Sequence, residues 1–447
     1  MDFRTQKVIK TLIWIAIVIV LARLLSLPFD VISDPTEGRY SEIGRIMAET
    51  GNWITPYLPG GIPFWAKPPL SFWATAASIK VFGANEFGAK LPHLLFLVGA
   101  AALMFAFVRK WRGDLIASIT LAILTTMVLF NYWMGGVMTD PALVLCLTLG
   151  MVSFYNAING GSRYWGYLFF IAMGLGLLAK GPLIFVLAGL PIFIFVLIKN
   201  QWRQLFRNLP IITGTLLMLA IAVPWYLLAE RATPGFLEYF FIGEHWQRYL
   251  QPNWAGDLYG YGREGFVGKI WLYWLAAITP WSIYFAVRMF SRRFRAAMAN
   301  AGFLSDSFLF YILCFAATPL LFFTFSKNII VTYSILALIP TAILLATVVP
   351  IDTRKFKWFA VLNLAALIFM CAYPQMKPSE KFIVKQYLDQ RPGETWGLYY
   401  YDKNPPYSAY FYTKGKVKRT PKEAPLPKAS VVLMKDGKLV TVIGDKI

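Results

Sequence analysis

The stretch VIKTLIWIAIVIVLARLLSLP, Val8 to Pro28, decides the fold. It is apolar over the length a helix needs to cross a bilayer, ~17–25 residues. Arg4, Lys7 and Lys10 stand at its start, and Asp30 and Asp34 follow it. It lacks a small-residue cleavage site and many further apolar runs follow, so it reads as a retained span and not a signal peptide. Working outward, similar runs recur at 88–108, 113–133, 139–157, 164–179, 181–198, 208–229, 269–289, 306–325, 329–349 and 356–374. With the first they make eleven expected crossings. A helix over 68–82 is too short to cross comfortably and is expected to lie at the interface or re-enter.

Composition agrees. The chain has 447 residues, 57% hydrophobic, 17% aromatic and only 15% charged, whereas soluble proteins carry ~25% charged residues. Mean hydropathy is +0.54. The formal net charge of +20 raises the question of nucleic acid, but cationic loops that set topology and touch anionic lipid explain it better. No nucleic-acid partner is expected. The cysteines Cys146, Cys314 and Cys371 lie in apolar runs, with neither a disulfide framework nor a zinc-finger spacing.

Alternate connections then separate by charge. One set holds Arg4/Lys7/Lys10, Arg109/Lys110/Arg112, Arg163, Lys199/Arg203/Arg207, Arg288/Arg292/Arg293/Arg295 and Arg354/Lys355/Lys357. The positive-inside rule assigns these to the cytoplasm. The N-terminus is then inside and the C-terminus outside. The external set comprises two long loops, 29–87 and 230–268, and a terminal domain, 376–447, following the transmembrane unit 1–375. Asp30, Asp34, Glu37, Glu42, Glu49, Glu86, Glu230, Glu238, Glu244, Asp257 and Glu264 fall in the loops. Lys180 and Lys327 each stand alone on a short external turn. The terminal segment is polar, with β-like runs at Gly397–Tyr401, Ser408–Tyr412, Ser430–Met434 and Leu439–Ile443 and turn signals at Asn404-Pro405-Pro406 and Asp436-Gly437. The expected fold is an α-helical polytopic membrane protein with a small external α/β domain.

Chemically capable residues gather on that outer side. In Asp34-Pro-Thr-Glu37-Gly-Arg39-Tyr40-Ser41-Glu42-Ile43, Arg39, Ile43, Ile46 and Met47 recur at helical spacing, as in an amphipathic surface helix. Asp34 and Glu37 at its start either cap it or act on an acceptor or a cation. Lys67, before Pro68-Pro69, is either a snorkelling lysine or a phosphate ligand. Asp140 stands at the external mouth of a span, as a helix cap or a site carboxylate, and Lys180 lies at the next external turn. Gly243-Glu244-His245-Trp246-Gln247-Arg248-Tyr249 offers an i,i+4 pair worth only ~0.2–0.5 kcal/mol by itself. His245, one of two histidines, lacks the ligand count of a metal site. His93 reads as structural. Ser326-Lys327-Asn328 and Tyr333 complete the set. Cations gathered at one membrane face suit an anionic, lipid-linked group.

Taken in order, Glu37-x-Arg39-Tyr40-x-Glu42-Ile43, Lys67-Pro68-Pro69, Thr139-Asp140, Ala179-Lys180-Gly181-Pro182, Glu244-His245-x-x-Arg248-Tyr249, Thr279-Pro280-Trp281 and Ser326-Lys327 with Tyr333 resemble the bacterial GT-C glycosyltransferases of the lipid A 4-amino-4-deoxy-L-arabinose transferase and protein O-mannosyltransferase type. The resemblance implies a GT-C fold of about eleven to thirteen transmembrane helices and a cavity open to water and to lipid. It also implies a polyprenyl (undecaprenyl) phosphate sugar donor without a nucleotide sugar. By motif position Lys67, Arg248, Tyr333 and Lys327 look like donor-phosphate ligands, and Asp34, Glu37 and Asp140 like catalytic or acceptor-orienting residues. Arg39, Tyr40, Lys180, Glu244, His245 and Tyr249 fill out the site. The family's Asp-Glu pair is here Thr36-Glu37, which leaves Asp34 and Glu37 as alternatives. Its glutamate before Lys-Pro, which looks like a metal partner of the loop histidine, is here Ala66. His245 is then the sole metal candidate, and a divalent metal is the only cofactor raised.

The expected activity is sugar transfer, an aminosugar such as 4-amino-4-deoxy-L-arabinose, to lipid A on the periplasmic face of the inner membrane by a monomer among membrane lipids. The alternative acceptors are a protein or another envelope glycan. The basic tail, with 14 Lys/Arg against 7 Asp/Glu over 377–447, favours an anionic acceptor. A lipid transporter would need polar residues deep in its spans and an inverted repeat; the acids here cluster at one face.

Overall fold

The computed structural model describes residues 2–260, 265–350, 352–376, 379–390, 397–421, 430–434 and 439–442. Glu264 and the Asp436-Gly437 turn lie outside them. The chain begins with α1 (Phe3–Ser26), α2 (Thr36–Thr50), a two-stranded β1 (Tyr57–Leu58) and β2 (Ile62–Pro63), and α3 (Leu70–Phe82). It continues with α4 (Glu86–Thr126), α5 (Val128–Trp133), α6 (Asp140–Ile158), α7 (Arg163–Lys180), α8 (Leu183–Ile198), α9 (Trp202–Asn208) and α10 (Ile211–Ala232). After α11 (Phe236–Glu238), a π-helical segment Tyr239–Gln247 and α12 (Arg248–Leu250) come α13 (Lys269–Ala277), α14 (Trp281–Arg288), α15 (Arg292–Ala299) and α16 (Ser307–Thr324). A 3₁₀ segment Val331–Ala337, α17 (Leu338–Ala346) and α18 (Thr353–Met376) end the apolar part.

Six described helices are long and apolar enough to cross a membrane: Phe3–Phe29, Glu86–Thr126, Asp140–Ile158, Ile211–Ala232, Ser307–Thr324 and Thr353–Tyr373. The 41-residue α4 covers two expected spans, because Gly113 breaks it at φ 84°, a conformation glycine adopts without a Cβ penalty. The expected continuous span at 269–289 is corrected: α13 and α14 meet at a bend of 100°. Pro280 lacks an N–H and cannot continue a helical ladder. The remaining expected crossings rest on shorter or less apolar helices.

Backbone freed by these breaks is satisfied internally, as an apolar surrounding requires. Val128 N donates to Thr279 O at 2.9 Å. Asn363 Nδ2 donates to Thr126 O at 2.8 Å, and Trp281 Nε1 to Thr126 Oγ1 at 2.9 Å.

The connections of each charge-defined set bond to their own neighbours. At one end Lys110 Nζ donates to Asn156 Oδ1 at 2.8 Å, Lys199 Nζ to Leu304 O at 2.9 Å, and Arg112 pairs with Asp306. At the other end the long loops fold over the helix mouths. Trp65 Nε1 donates to Thr233 Oγ1 at 3.0 Å, and the Tyr259 hydroxyl to Pro63 O at 2.7 Å.

The terminal segment holds α19 (Glu380–Gln390), β3 (Gly397–Tyr401), α20 (Tyr407–Tyr412), β4 (Val417–Thr420), β5 (Ser430–Leu433) and β6 (Leu439–Val442). Sheet order is β4-β3-β5-β6. β3 pairs in parallel with β4 (Leu398 opposite Val417) and β5 (Leu398 opposite Val431), and β5 antiparallel with β6 (Val432 opposite Val440). Val384, Tyr387, Leu398, Tyr400, Ala409, Val417, Val431 and Leu433 form its core. The expected strand at Ser408–Tyr412 is a helix. Its turn splits two burials: Ala409 enters the sheet core, while Phe411 joins Tyr40, Ile43 and Met47 of α2. Alternating strand faces matter less there than docking on α2.

Candidate active site

The two long loops meet through a carboxylate. Pro69 is the N-cap of α3, and Lys67 lies just before it with Nζ 2.8 Å from Glu244 Oε2. Glu244 sits in the π-helical segment, a geometry that recurs at functional sites. Arg248 NH1 approaches its other oxygen, Oε1, at 2.8 Å, and Asp257 Oδ2 at 3.4 Å. Only 3% of the Glu244 side chain is exposed, against 19% of Lys67 and 27% of Arg248. Burial works against the Glu244 charge, but Lys67 and Arg248 outweigh it and hold the carboxyl below the usual range.

A second pair stands beside it. Asp140 opens α6, followed directly by Pro141, and Lys180 is the last residue of α7. Lys180 Nζ is 2.5 Å from Asp140 Oδ1, with both side chains under a tenth exposed. The ammonium also lies 4.9 Å from the Tyr333 ring centroid, and Tyr333 stacks on Phe323 at 4.4 Å. Gly181, at φ 73°, ends α7; a Cβ there would lie 2.6 Å from the Phe240 ring and 3.1 Å from His245 Cε1.

His245 joins the two pairs. Its Nδ1 is 2.7 Å from Phe240 O and its Nε2 3.2 Å from Lys180 O. Tyr40, buried on α2, lies close enough to feel the charges of both pairs. Burial raises its hydroxyl pKa; Arg39 and Lys180 pull it down, and Asp140 and Glu244 push it up.

A third cluster was not legible as a site. Arg23 NH2 meets Asp30 Oδ2 at 2.7 Å, Lys90 Nζ meets the same oxygen at 3.1 Å, and Lys90 meets Glu37 Oε1 at 2.6 Å. Glu37 also accepts from Ser33 N at 3.0 Å, Ser33 Oγ at 2.9 Å and Val137 N at 3.3 Å. The signal for it was a charge inside each of two apolar runs, Arg23 and Lys90.

The structure gives the other candidates different partners. Neither Asp34 nor Glu37 caps α2, whose N-cap is Pro35 with no side-chain bond. Asp34 instead accepts from Ser408 N at 3.1 Å and from the Ser408 hydroxyl, at the start of α20. Burial raises its pKa against these hydrogen bonds. Arg39 donates to Tyr259 O and lies within 6.0 Å of the Tyr40, Phe64 and Tyr407 rings. The Tyr249 hydroxyl donates to Phe322 O at 2.8 Å. Lys327 is exposed, and its backbone N–H donates to Tyr249 O at 3.1 Å. His93 is buried with Nε2 3.1 Å from Thr75 Oγ1.

The residues present do not fit a divalent metal. Both His245 nitrogens face carbonyl oxygens, position 66 is alanine, and Glu244 is taken up by two cations. What the arrangement offers is a pair of mobile-stemmed cations converging on one anionic position, next to a lysine-held carboxylate.

The fold is that of the GT-C membrane proteins. A crystal structure of ArnT from Cupriavidus metallidurans bound to undecaprenyl phosphate matches with a TM-score of 0.76 at 20% identity, over 91% of this chain and 85% of that one. The family profile described as dolichyl-phosphate-mannose-protein mannosyltransferase matches residues 7–240, and the chain belongs to that family. Among curated relatives, the undecaprenyl phosphate-alpha-4-amino-4-deoxy-L-arabinose arabinosyl transferase of Enterobacter sp. (strain 638) is 31% identical over 335 residues, 72% of this chain and 56% of the relative. The corresponding transferase 2 of Sodalis glossinidius is 30% identical over 370 residues, 80% of this chain and 63% of the relative. The chain thus spans less than two thirds of these relatives' length.

Removing one partner of a buried ion cluster costs about 3–5 kcal/mol. Lys90→Met is therefore expected to lower the melting temperature in detergent markedly, while Lys90→Arg stays near wild type. A second measurement uses His245, whose pKa burial lowers from its ordinary 6.5. Below pH 6.5 the unfolded chain binds more protons at this position than the folded one, so its contribution to stability falls as pH falls. Wild type is expected to lose more melting temperature between pH 7 and 5 than His245→Gln.

Proposed function

We propose that this chain is a membrane glycosyltransferase that moves an aminosugar, of the 4-amino-4-deoxy-L-arabinose kind, from a polyprenyl phosphate such as undecaprenyl phosphate to lipid A. The reaction takes place on the periplasmic face of the bacterial inner membrane, and residues 1–375 form the catalytic unit. The observation that carries this reading is the convergence of Lys67 and Arg248 on Glu244 beside the Lys180–Asp140 pair. The names of the relatives, and the undecaprenyl phosphate bound in the matching Cupriavidus crystal structure, support the donor class, and the basic 377–447 segment favours an anionic acceptor such as lipid A.

An acceptor oxygen bonds to the sugar C1 as the C1–O bond to the donor phosphate breaks, and the electron pair of that bond leaves on the polyprenyl phosphate. Lys67 and Arg248 turn from Glu244 to the phosphate and stabilise that developing charge. Tyr333, beneath the Lys180 ammonium, borders the same position. Asp140 orients the acceptor on the opposite face of the sugar. A lipid A phosphate is already ionised, so positioning, and not a strong base, supplies the rate. Glu37 and Asp34 hold α2, and with it Tyr40, in place. A protein hydroxyl acceptor is the second reading, supported by the description of the family profile, and it would require Asp140 as base.

The test is product mass after incubating purified protein with undecaprenyl-phosphate aminoarabinose and lipid A. Lys67→Met, Arg248→Met and Asp140→Asn are each expected to lower kcat/KM by about 10²–10³. Full activity in all of them defeats the site assignment, no donor consumption defeats the transferase reading, and transfer to protein alone replaces the acceptor.

The N-terminus is read as cytoplasmic and the 376–447 domain as periplasmic, from the basic connections at one end. In a background lacking Cys146, Cys314 and Cys371, an impermeant maleimide applied to spheroplasts is expected to label Lys403→Cys directly. Ser305→Cys should react only after permeabilisation. The reverse pattern inverts the topology.

A further inference from the structure

A groove with a volume of about 740 Å³ lies at the opposite end of the molecule from the ion clusters, between α1 and α18. The two helices run parallel: Cys371 Sγ approaches Ser26 O at 4.0 Å near their C-terminal ends, and their N-terminal halves wall the groove. One face of α1 supplies Phe3, Lys7, Lys10, Trp14 and Val18, a stripe at the three- and four-residue spacing of a single helix side. From α18 come Lys357, Ala360 and Val361.

The chemistry along this stripe is graded. Lys7, Lys10 and Lys357 are exposed at the groove's polar end. Lys355 pairs with Asp352 at 3.3 Å, but Lys7, Lys10 and Lys357 have no carboxylate partner among the described residues. Gln6 and Thr11 add hydrogen-bonding groups beside them. Deeper along the helices the lining becomes apolar, with Trp14 63% exposed, Val18 46% and Val361 53%. Tryptophan is enriched at the level where headgroups meet acyl chains.

We propose that this groove is a binding site for one anionic phospholipid. The phosphodiester lies among Lys7, Lys10 and Lys357, and an acyl chain runs along Trp14, Val18 and Val361. Cations without carboxylate partners select a net negative headgroup over a zwitterionic one, since basic pockets between spanning helices bind acidic lipid. The graded lining favours a whole lipid over a free phosphate or a soluble acidic peptide, neither of which would cover the apolar half. The lipid would bridge the first and last spanning helices. The inference does not depend on the transferase reading.

Native mass spectrometry of the full chain released from nanodiscs tests it. Phosphatidylglycerol is expected to remain bound and phosphatidylcholine to be lost. In Lys7→Gln/Lys10→Gln/Lys357→Gln the phosphatidylglycerol affinity should fall on the order of a hundredfold, about 1 kcal/mol per lysine. The triple Lys→Arg variant should keep it, which separates lost charge from lost folding. Trp14→Ala should weaken retention severalfold with all charges present. Equal retention of the two lipids, undiminished phosphatidylglycerol binding in the Gln variant, or full displacement by chain-free glycerophosphoglycerol would overturn the proposal. So would a dimer that disappears with the Gln substitutions.

Discussion

Arg23, Asp30, Lys90 and Glu37 form a chain of alternating charge with links of 2.7, 3.1 and 2.6 Å. Arg23 and Lys90 are each 1% exposed. A charge at that depth is tolerated only when it is paired and hydrogen-bonded. Two cations enter from the apolar helices α1 and α4, and two anions enter from the first long loop and α2. Charge neutrality therefore requires α2 to sit on the mouths of those helices. The guanidinium of Arg23 also occupies the space where a Cβ at Gly135 would stand, 1.9 Å away, so the connection before α6 closes over it.

The residues gathered at this end of the bundle are placed relative to α2. Its buried side carries Tyr40 toward the Asp140–Lys180 and Glu244 charges. Its first turn adjoins Asp34, which fastens α20 of the terminal sheet through Ser408. The terminal segment gains two further ties, Tyr412 to Glu86 Oε1 at 3.0 Å and Lys381 to the same oxygen at 2.6 Å. Tyr407 then stands within 5.5 Å of the Arg39 guanidinium. The small sheet is thus tied to α2 and to Glu86 by polar contacts and to Arg39 through Tyr407, and its docking bears on how Arg39 and Tyr40 are held.

The candidate site is built around paired charges. Glu244 keeps Lys67 and Arg248 together, where two unpaired cations would repel. In the proposed reaction, a phosphate ester that displaces or shares this carboxylate meets cations already gathered, which is preorganisation of the kind that stabilises developing charge. The π-helical turn at Glu244 and the left-handed Gly181 bring the loop against α7 closely enough for His245 to meet the Lys180 carbonyl.

Hydropathy and charge were enough to read the apolar bundle, the short α3, the two long loops and the gathering of Lys67, Asp140, Lys180 and Arg248 at one end of it, because spans must be apolar and their flanks must carry the charge. The same reading recovered β3, whose residues alternate between core and surface, and the apolar β5 and β6 beside it. It misplaced Ser408–Tyr412, where burial is decided by α2 on one side and the sheet on the other. It joined α13 to α14, because composition does not register a bend. It pairs Glu244 with Arg248, an i,i+4 contact within one helical turn, but leaves the partners of Asp34, Glu37 and Asp140 open. Which cation each carboxylate faces is a matter of distance between residues as far apart in sequence as Lys67 and Glu244 or Asp34 and Ser408. Only the packed helices bring those atoms together, since ion pairing and desolvation act through space over a few ångströms and leave no local pattern in the chain.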